Sequence, residues 1–358
     1  MKVIKVRNVH EALPRGMDAL DAPTAAKATR VQPSRAGNTI EFMEPVTTVY
    51  TKPTERVLFW EERDANPFFH FYEGLWMLGG RSSVDEVVWF NKNMKSFSDD
   101  GSFFHGAYGR RWRQHFGFNK TDQLSIIIER LKKDPSDRRC VLSIWDTEVD
   151  LGGDSLDHPC NTQVYFKVRE GQLNMTVCNR SNDMIWGAYG ANAVHFSMLH
   201  EYMAGMIGVS VGVYTQISDS LHVYEEVYEK LKAKMPRLDA FDWPVKNPYE
   251  SMVSPFPMVD LPQNEWDSEL GLFLTYVQVL QNLRIDTDDV NKVLQMYDTK
   301  LIPSDSHFFG DVAVPMVHAW HLHKTQKMTK EAMDYIEKNC KATDWALACA
   351  EWLQRRIK

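Results

Sequence analysis

Apolar and polar positions along the chain change period several times, and each change marks an element. In "TIEFMEPVTTVYT" (39–51) apolar residues alternate closely enough to predict strands. "PFFHFYEGLWMLGG" (67–80) is apolar almost throughout and closes on two glycines, which predicts a buried helix ending at Gly79–Gly80. "TDQLSIIIERLKKDPSDRR" (121–139) carries apolar residues at helical spacing and stops at Asp134–Pro135, after which "CVLSIWD" reads as a strand. The clearest alternation lies in 163–178, "QVYFKV-REGQ-LNMTVC": a hairpin turning near Glu170–Gly171, with Phe166 and Val168 answered by Leu173, Met175 and Val177. "AVHFSMLHEYMAGMIGV" predicts a further helix.

The two ends differ from this middle. Residues 1–33 are rich in Ala, Pro and Arg and weakly periodic, so they are expected to form an irregular extension. From 235 a Pro-rich connector leads into "SELGLFLTYVQVLQNL", "DVNKVLQMYD", "VPMVHAWHLHK" and "DWALACAEWLQRRIK", which predict a mostly helical region over 235–358. The middle, 34–234, is expected to form a domain of its own.

Composition narrows the class. With 358 residues there is ample material for a core, and 44% hydrophobic and 25% charged residues are ordinary for a globular protein. A net charge of -7 argues against a protein that coats nucleic acid, while leaving room for a local arginine cluster that binds a small anion. No apolar run has the length of a membrane span, and no signal-peptide core opens the chain. Five scattered cysteines without a C-x-x-C pair suggest neither a disulfide framework nor a zinc site. The expectation is a reduced, cytoplasmic protein with no metal and no membrane partner.

The chemistry gathers around "DHPCNTQVYF" (157–166). If the hairpin turns near Glu170–Gly171, Cys160 and Arg180 lie almost equally far from the turn, at one end of paired strands. A guanidinium there favours thiolate and suits an anionic substrate. Taken alone, a cysteine is more often a buried, inert packing residue, and the facing arginine shifts the balance toward chemistry. Arg138 and Arg139 form either a solvated turn or a phosphate clamp. Glu73, alone among aromatics, is either paired in the core or tuned for proton transfer by desolvation. His222 and Tyr224, two apart in "SDSLHVY", share one face of an extended segment and could bind a sugar or simply pack. His318, His321 and His323 lack a carboxylate or cysteine to complete a metal set and read as surface or packing residues. No Walker loop and no G-x-G-x-x-G fingerprint occurs.

Together, "SRAGNT", "EGLWMLGG", "FFHGAYGRRWR", "DQL", "DPSDRR", "HPCN", "NRSND", "GANAVHFSML" and "SLHVY" resemble the thymidylate synthase and pyrimidine-nucleotide hydroxymethylase family, in the family's order from Arg35 to Tyr224. The resemblance implies an α+β fold: a large mixed sheet flanked by helices, here with an added helical C-terminal region. It implies a homodimer whose sites borrow arginines from the partner, with methylenetetrahydrofolate as co-substrate. Carried over, Cys160 matches the nucleophile that attacks carbon 6 of the pyrimidine. Arg35, Arg180 and Ser181 match phosphate-binding groups, and Arg138 and Arg139 the pair lent across the dimer. Glu73 matches the carboxylate that manages water and protons, Tyr108 the tyrosine linked to loss of the carbon 5 proton, and Asp183 an aspartate of the folate side. His222 and Tyr224 match the pair on the sugar hydroxyl. The chemistry needs these types: thiolate addition at carbon 6 makes carbon 5 enolate-like, able to attack the folate's methylene.

Base and product are set by finer features. Asn192 is the candidate selector, because an amide complements uracil's carbonyl and ring N–H, where an aspartate would suit cytosine. It could equally cap the following helix. "GAYGAN" holds one residue more than the synthases usually do, which a loop must absorb. Where synthases carry two tryptophans, this chain has Met94 and Phe97; where they have histidine after the cysteine, it has Asn161; and the helical region replaces their short closing peptide. "SLHVY" and "NRSND" stand closer to phage hydroxymethylases. A loosened aromatic wall lets water rather than hydride reach the methylene intermediate. The expected reaction is therefore hydroxymethylation of dUMP, against thymidylate synthesis, dCMP hydroxymethylation, a binding protein that has lost its chemistry, or a cysteine hydrolase using His195 or His158.

Overall fold

In the computed structural model the described residues are 2–21, 28–34, 37–235, 247–284, 292–293, 295, 297 and 305–357. One mixed eight-stranded sheet runs in the order β1-β4-β8-β7-β6-β5, with β2 paired to β3 and β3 to β8. Its strands are β1 (Lys2–Val6), β2 (Thr29–Ser34), β3 (Gly37–Phe42), β4 (Val46–Tyr50), β5 (Val141–Ser143), β6 (Asn161–Arg169), β7 (Gln172–Asp183) and β8 (Ser210–Tyr224). The expected hairpin is β6–β7, with Phe166 opposite Met175 and Val168 opposite Leu173. Glu170 and Gly171 both take positive φ, as a tight two-residue hairpin turn requires.

Helices α1 (Val9–Asp21), α2 (Pro67–Leu78), α3 (Val84–Val88), α4 (Gln123–Lys133), α5 (Asn192–Ile207) and α6 (Glu225–Lys232) accompany the sheet. α2 is the predicted buried helix. Asn66 caps it by accepting from the Phe69 N–H at 3.2 Å, Pro67 occupies its first turn, and all its residues are buried. α5 crosses between the parallel strands β7 and β8 and ends at Gly208, whose φ of 87° suits the absence of a side chain.

The tail supplies α7 (Gln263–Asn282), α8 (Val314–Lys324), α9 (Thr329–Asn339) and α10 (Thr343–Gln354). "DVNKVLQMYD" lies largely outside the described residues. α2 is apolar on every side because the tail covers what α5 does not. Trp320 and Trp352 lie 5.4 and 5.9 Å from Phe68, and Trp345 lies 5.2 Å from Phe71, measured between ring centroids. Tyr249 of the connector donates to Asp344 at 2.9 Å and accepts from the Val57 N–H at 3.1 Å.

The irregular N-terminal extension is corrected. Residues 1–33 contain β1, α1 and most of β2. β1 pairs in parallel with β4, a partner far along the chain that no local pattern reveals. α1 holds Pro14 in its interior, which breaks the expected helical signature although Leu13 and Met17 are buried.

Candidate active site

Topology explains why the predicted residues meet. β7 and β8 run in parallel with Asp183 opposite His222, so their C-terminal ends coincide. β6 is antiparallel to β7, so its beginning lies beside β7's end, and the Arg180 N–H donates to the Cys160 carbonyl at 3.0 Å. Cys160, Arg180, Ser181, Asp183, His222 and Tyr224 therefore share one end of the sheet. The Arg180 guanidinium donates to the carbonyls of Pro159 at 2.8 Å and His158 at 3.1 Å, bracing the loop that carries the cysteine. The rings of His222 and Tyr224 meet edge to face at 5.8 Å.

Helices bring the proton-handling groups to the same end. The Tyr108 hydroxyl accepts from the Cys160 N–H at 3.3 Å. Tyr108 is placed by Gly109, where a β-carbon would stand 2.1 Å from the Met77 carbonyl oxygen at the end of α2. Glu73 on α2 is buried, with His195 Nε2 of α5 3.2 Å away. Burial, and then the charge of Asp157, raise the Glu73 carboxyl to about 8. Burial lowers His195 to about 3, so that ring is neutral. The Cys160 thiol is raised by burial, which outweighs the downward pull of Arg180, so the expected preference for thiolate is opposed by desolvation. Asp183 is also raised by burial; its Oδ1 accepts from the Trp186 N–H, and its buried Oδ2 has no partner among the described residues. Asn179 Oδ1, one residue before Arg180, is buried and unmatched among them as well.

The stretch before Asn192, Met184–Ala191, winds with π-type bonding and breaks at Tyr189 and Gly190. Asn192 is not the cap of α5: Ala191 holds that position, and no side-chain capping bond forms. Instead Asn192 Nδ2 donates to Asn182 Oδ1 at 3.0 Å, and Asn182 Nδ2 donates to Ser218 Oγ at 3.1 Å. This leaves Asn192 its carbonyl oxygen and a second N–H for a base edge.

Other predicted residues lie apart or beyond reach. Arg35 is outside the described residues. Arg138 and Arg139 are exposed, and Arg139 is held by Asp137 at 2.9 Å. Met94 and Phe97 lie one turn apart on the 3₁₀ helix Lys92–Phe97, Phe97 exposed. Just beyond, Asp99 accepts from the Leu156 N–H at 2.8 Å and the Ser155 hydroxyl at 2.7 Å, tying this turn to the loop before Cys160. Neither His195 nor His158 hydrogen-bonds the thiol among the described residues; His158 stacks on Trp145 instead. His318 and His321 are buried packing residues against Tyr276, Tyr297 and Tyr335.

Three residues escaped the sequence reading. Asp157 accepts from the Gly106 N–H at 2.8 Å, and its charge reaches Glu73, Tyr108 and Cys160. Asn182 orients Asn192. Trp186 is 53% exposed three residues after Asp183, with the Arg63 guanidinium 3.9 Å from its ring. Asp157 carried a signal through its place beside the cysteine motif, and Asn182 through its place inside "NRSND".

A family model described as thymidylate synthase matches residues 62–247. A deoxyuridylate hydroxymethyltransferase of Pseudomonas phage M6 is 46% identical over 99% of this chain and 95% of its own length. A protein of the same description from Bacillus phage SP01 is 39% identical over 68% of this chain and 67% of its own length. Another from Delftia phage PhiW-14 is 29% identical over 57% of this chain and 58% of its own.

Proposed function

From the premise that this chain belongs to the thymidylate synthase family, we propose that it hydroxymethylates dUMP at carbon 5, using methylenetetrahydrofolate and water and releasing 5-hydroxymethyl-dUMP and tetrahydrofolate. One observation carries the reading. Cys160 is fixed at the start of β6 between Tyr108 and Arg180, in a chain 46% identical to a deoxyuridylate hydroxymethyltransferase over nearly its whole length.

The residues divide the work. Cys160 adds to carbon 6, Arg180 favours its thiolate form, and Arg180 and Ser181 with Arg35 hold the phosphate. Asn192, oriented by Asn182, reads uracil's carbonyl and ring N–H. His222 and Tyr224 hold the sugar hydroxyl. Tyr108 assists loss of the carbon 5 proton beside the cysteine. Glu73, protonated at neutral pH, donates to the oxygen where ring charge collects. The folate supplies the one-carbon unit. Trp186 offers it an exposed aromatic face, the unmatched Asp183 Oδ2 an acceptor for a ring N–H, and Met94 and Phe97 a wall without indoles.

The active unit is a homodimer in this reading. Arg138 and Arg139 point outward, and the face of the sheet away from the helices presents the partly exposed Tyr165, Thr176, Val211, Val213, Thr215 and Ile217. Such a surface suits a second copy of the same sheet. No helix is long and apolar enough to cross a membrane among the described residues.

Mass analysis of the nucleotide formed from dUMP and methylenetetrahydrofolate tests the reaction. The expected product is heavier than dTMP by one oxygen and forms without dihydrofolate. Appearance of dTMP with dihydrofolate would assign thymidylate synthesis instead.

A further inference from the structure

Capture of the one-carbon unit by water requires a group that accepts water's proton, and the residues named so far do not provide one. Glu73 keeps its own proton at neutral pH. Tyr108 is held far above its usual range, chiefly by burial. Asp183 has one oxygen on the Trp186 N–H and the other assigned above to the folate ring N–H. Cys160 carries the nucleotide.

Asp157 has the required geometry. It lies in the loop that enters Cys160, three residues before it. One carboxylate oxygen accepts from the Gly106 N–H at 2.8 Å, and the other makes no hydrogen bond among the described residues. Gly106, which it holds, stands two residues before Tyr108, whose hydroxyl accepts from the Cys160 N–H, so Asp157 is tied to both strips that meet at the cysteine, and its charge acts on Glu73, Tyr108 and Cys160. Its support is built: Arg111 donates to the His105 carbonyl at 3.1 Å and grips buried Asp150 at 2.8 and 2.9 Å, fixing the strip that carries Gly106. Asp99, through Leu156 and Ser155, fixes the other side of the loop.

We propose that Asp157 is the base that deprotonates the water captured by the exocyclic methylene of the Cys160-bound nucleotide. This rests on the hydroxymethylation reading above. The water oxygen bonds to the methylene carbon while its proton passes to the free Asp157 oxygen. The methylene's π pair moves into the ring as an enolate whose oxygen faces the Glu73 proton. Collapse of that enolate restores the ring double bond and expels the Cys160 thiolate. No oxidant or reductant enters. The carboxyl pair suits the division: Asp157, raised by burial only to about 6, is ionised at neutral pH while Glu73 is not.

The test uses Asp157→Asn with dUMP tritiated at carbon 5. Tritium release reports the steps up to loss of the carbon 5 proton, and mass analysis reports water capture. In a single turnover, tritium release should stay near the wild-type rate while the rate of 5-hydroxymethyl-dUMP formation falls about 100-fold, and added 2-mercaptoethanol should divert the held nucleotide to a thioether. Asp157→Glu should restore the hydroxymethyl product in part. Both signals falling together, or neither falling, overturns the proposal. If Asp157→Asn does not fold, Asp157→Ser keeps an acceptor for Gly106 and takes the same assay; failure of both to fold assigns Asp157 a structural role and overturns it. A wild-type enzyme that makes no hydroxymethyl nucleotide defeats the function itself, and that arm is read separately.

Discussion

Glu73 costs the fold stability at neutral pH. An unfolded glutamate releases its proton near pH 4.3, whereas the folded protein holds this one to about 8. The stability this group contributes is thus full below about pH 4 and is lost as pH rises toward 8. Glu73→Gln should match wild type in acid and exceed it by on the order of 3 kcal/mol at pH 7, measured by denaturant unfolding across pH. Its turnover should nevertheless fall by about 10² to 10⁴, since an amide cannot pass a proton. The sequence exposed Glu73 because a carboxylate is conspicuous among aromatics, and Cys160 because it begins a recognisable hairpin. Asp157 and Asn182 were not legible as site residues. Their meaning depends on Gly106, Tyr108 and Asn192, which come near only when distant segments pack.

At the scale of elements, the joint between α2 and the turn carrying Tyr108 is the tightest in the site. Gly109→Ala forces a β-carbon onto the Met77 backbone, which cannot swing aside as a side chain does. Thermal unfolding should register a loss of about 2 kcal/mol, and tritium release from dUMP should fall further than dUMP binding, because Tyr108 is displaced from Cys160. The β6–β7 hairpin and α2 were readable in the chain, since each is specified by local period and by its own turn or cap. β1 and α1 were not: one depends on a remote parallel partner, and the other tolerates an internal proline because tertiary packing outweighs propensity. The turn at 184–191 was legible only as a surplus residue, and its π-type winding emerges from the need to hold Asn192 against Asn182.

The whole molecule is where sharing between protomers can be read. In a mixture of Cys160→Ser and Arg139→Ala chains, each inactive alone, a mixed dimer has one site that combines an intact cysteine with a lent arginine. Random exchange should restore about a quarter of wild-type turnover; no recovery after exchange would mean that Arg139 serves its own subunit. The tail's helices were legible, but their destination was not, because an apolar helical face does not name what it packs on. That destination is the outer side of α2, covered by Trp320, Trp345 and Trp352. A ribosome releases α2 early and those tryptophans late. During synthesis the nascent polypeptide therefore carries the Phe68 and Phe71 side of α2 without its tryptophan cover until those helices clear the exit tunnel.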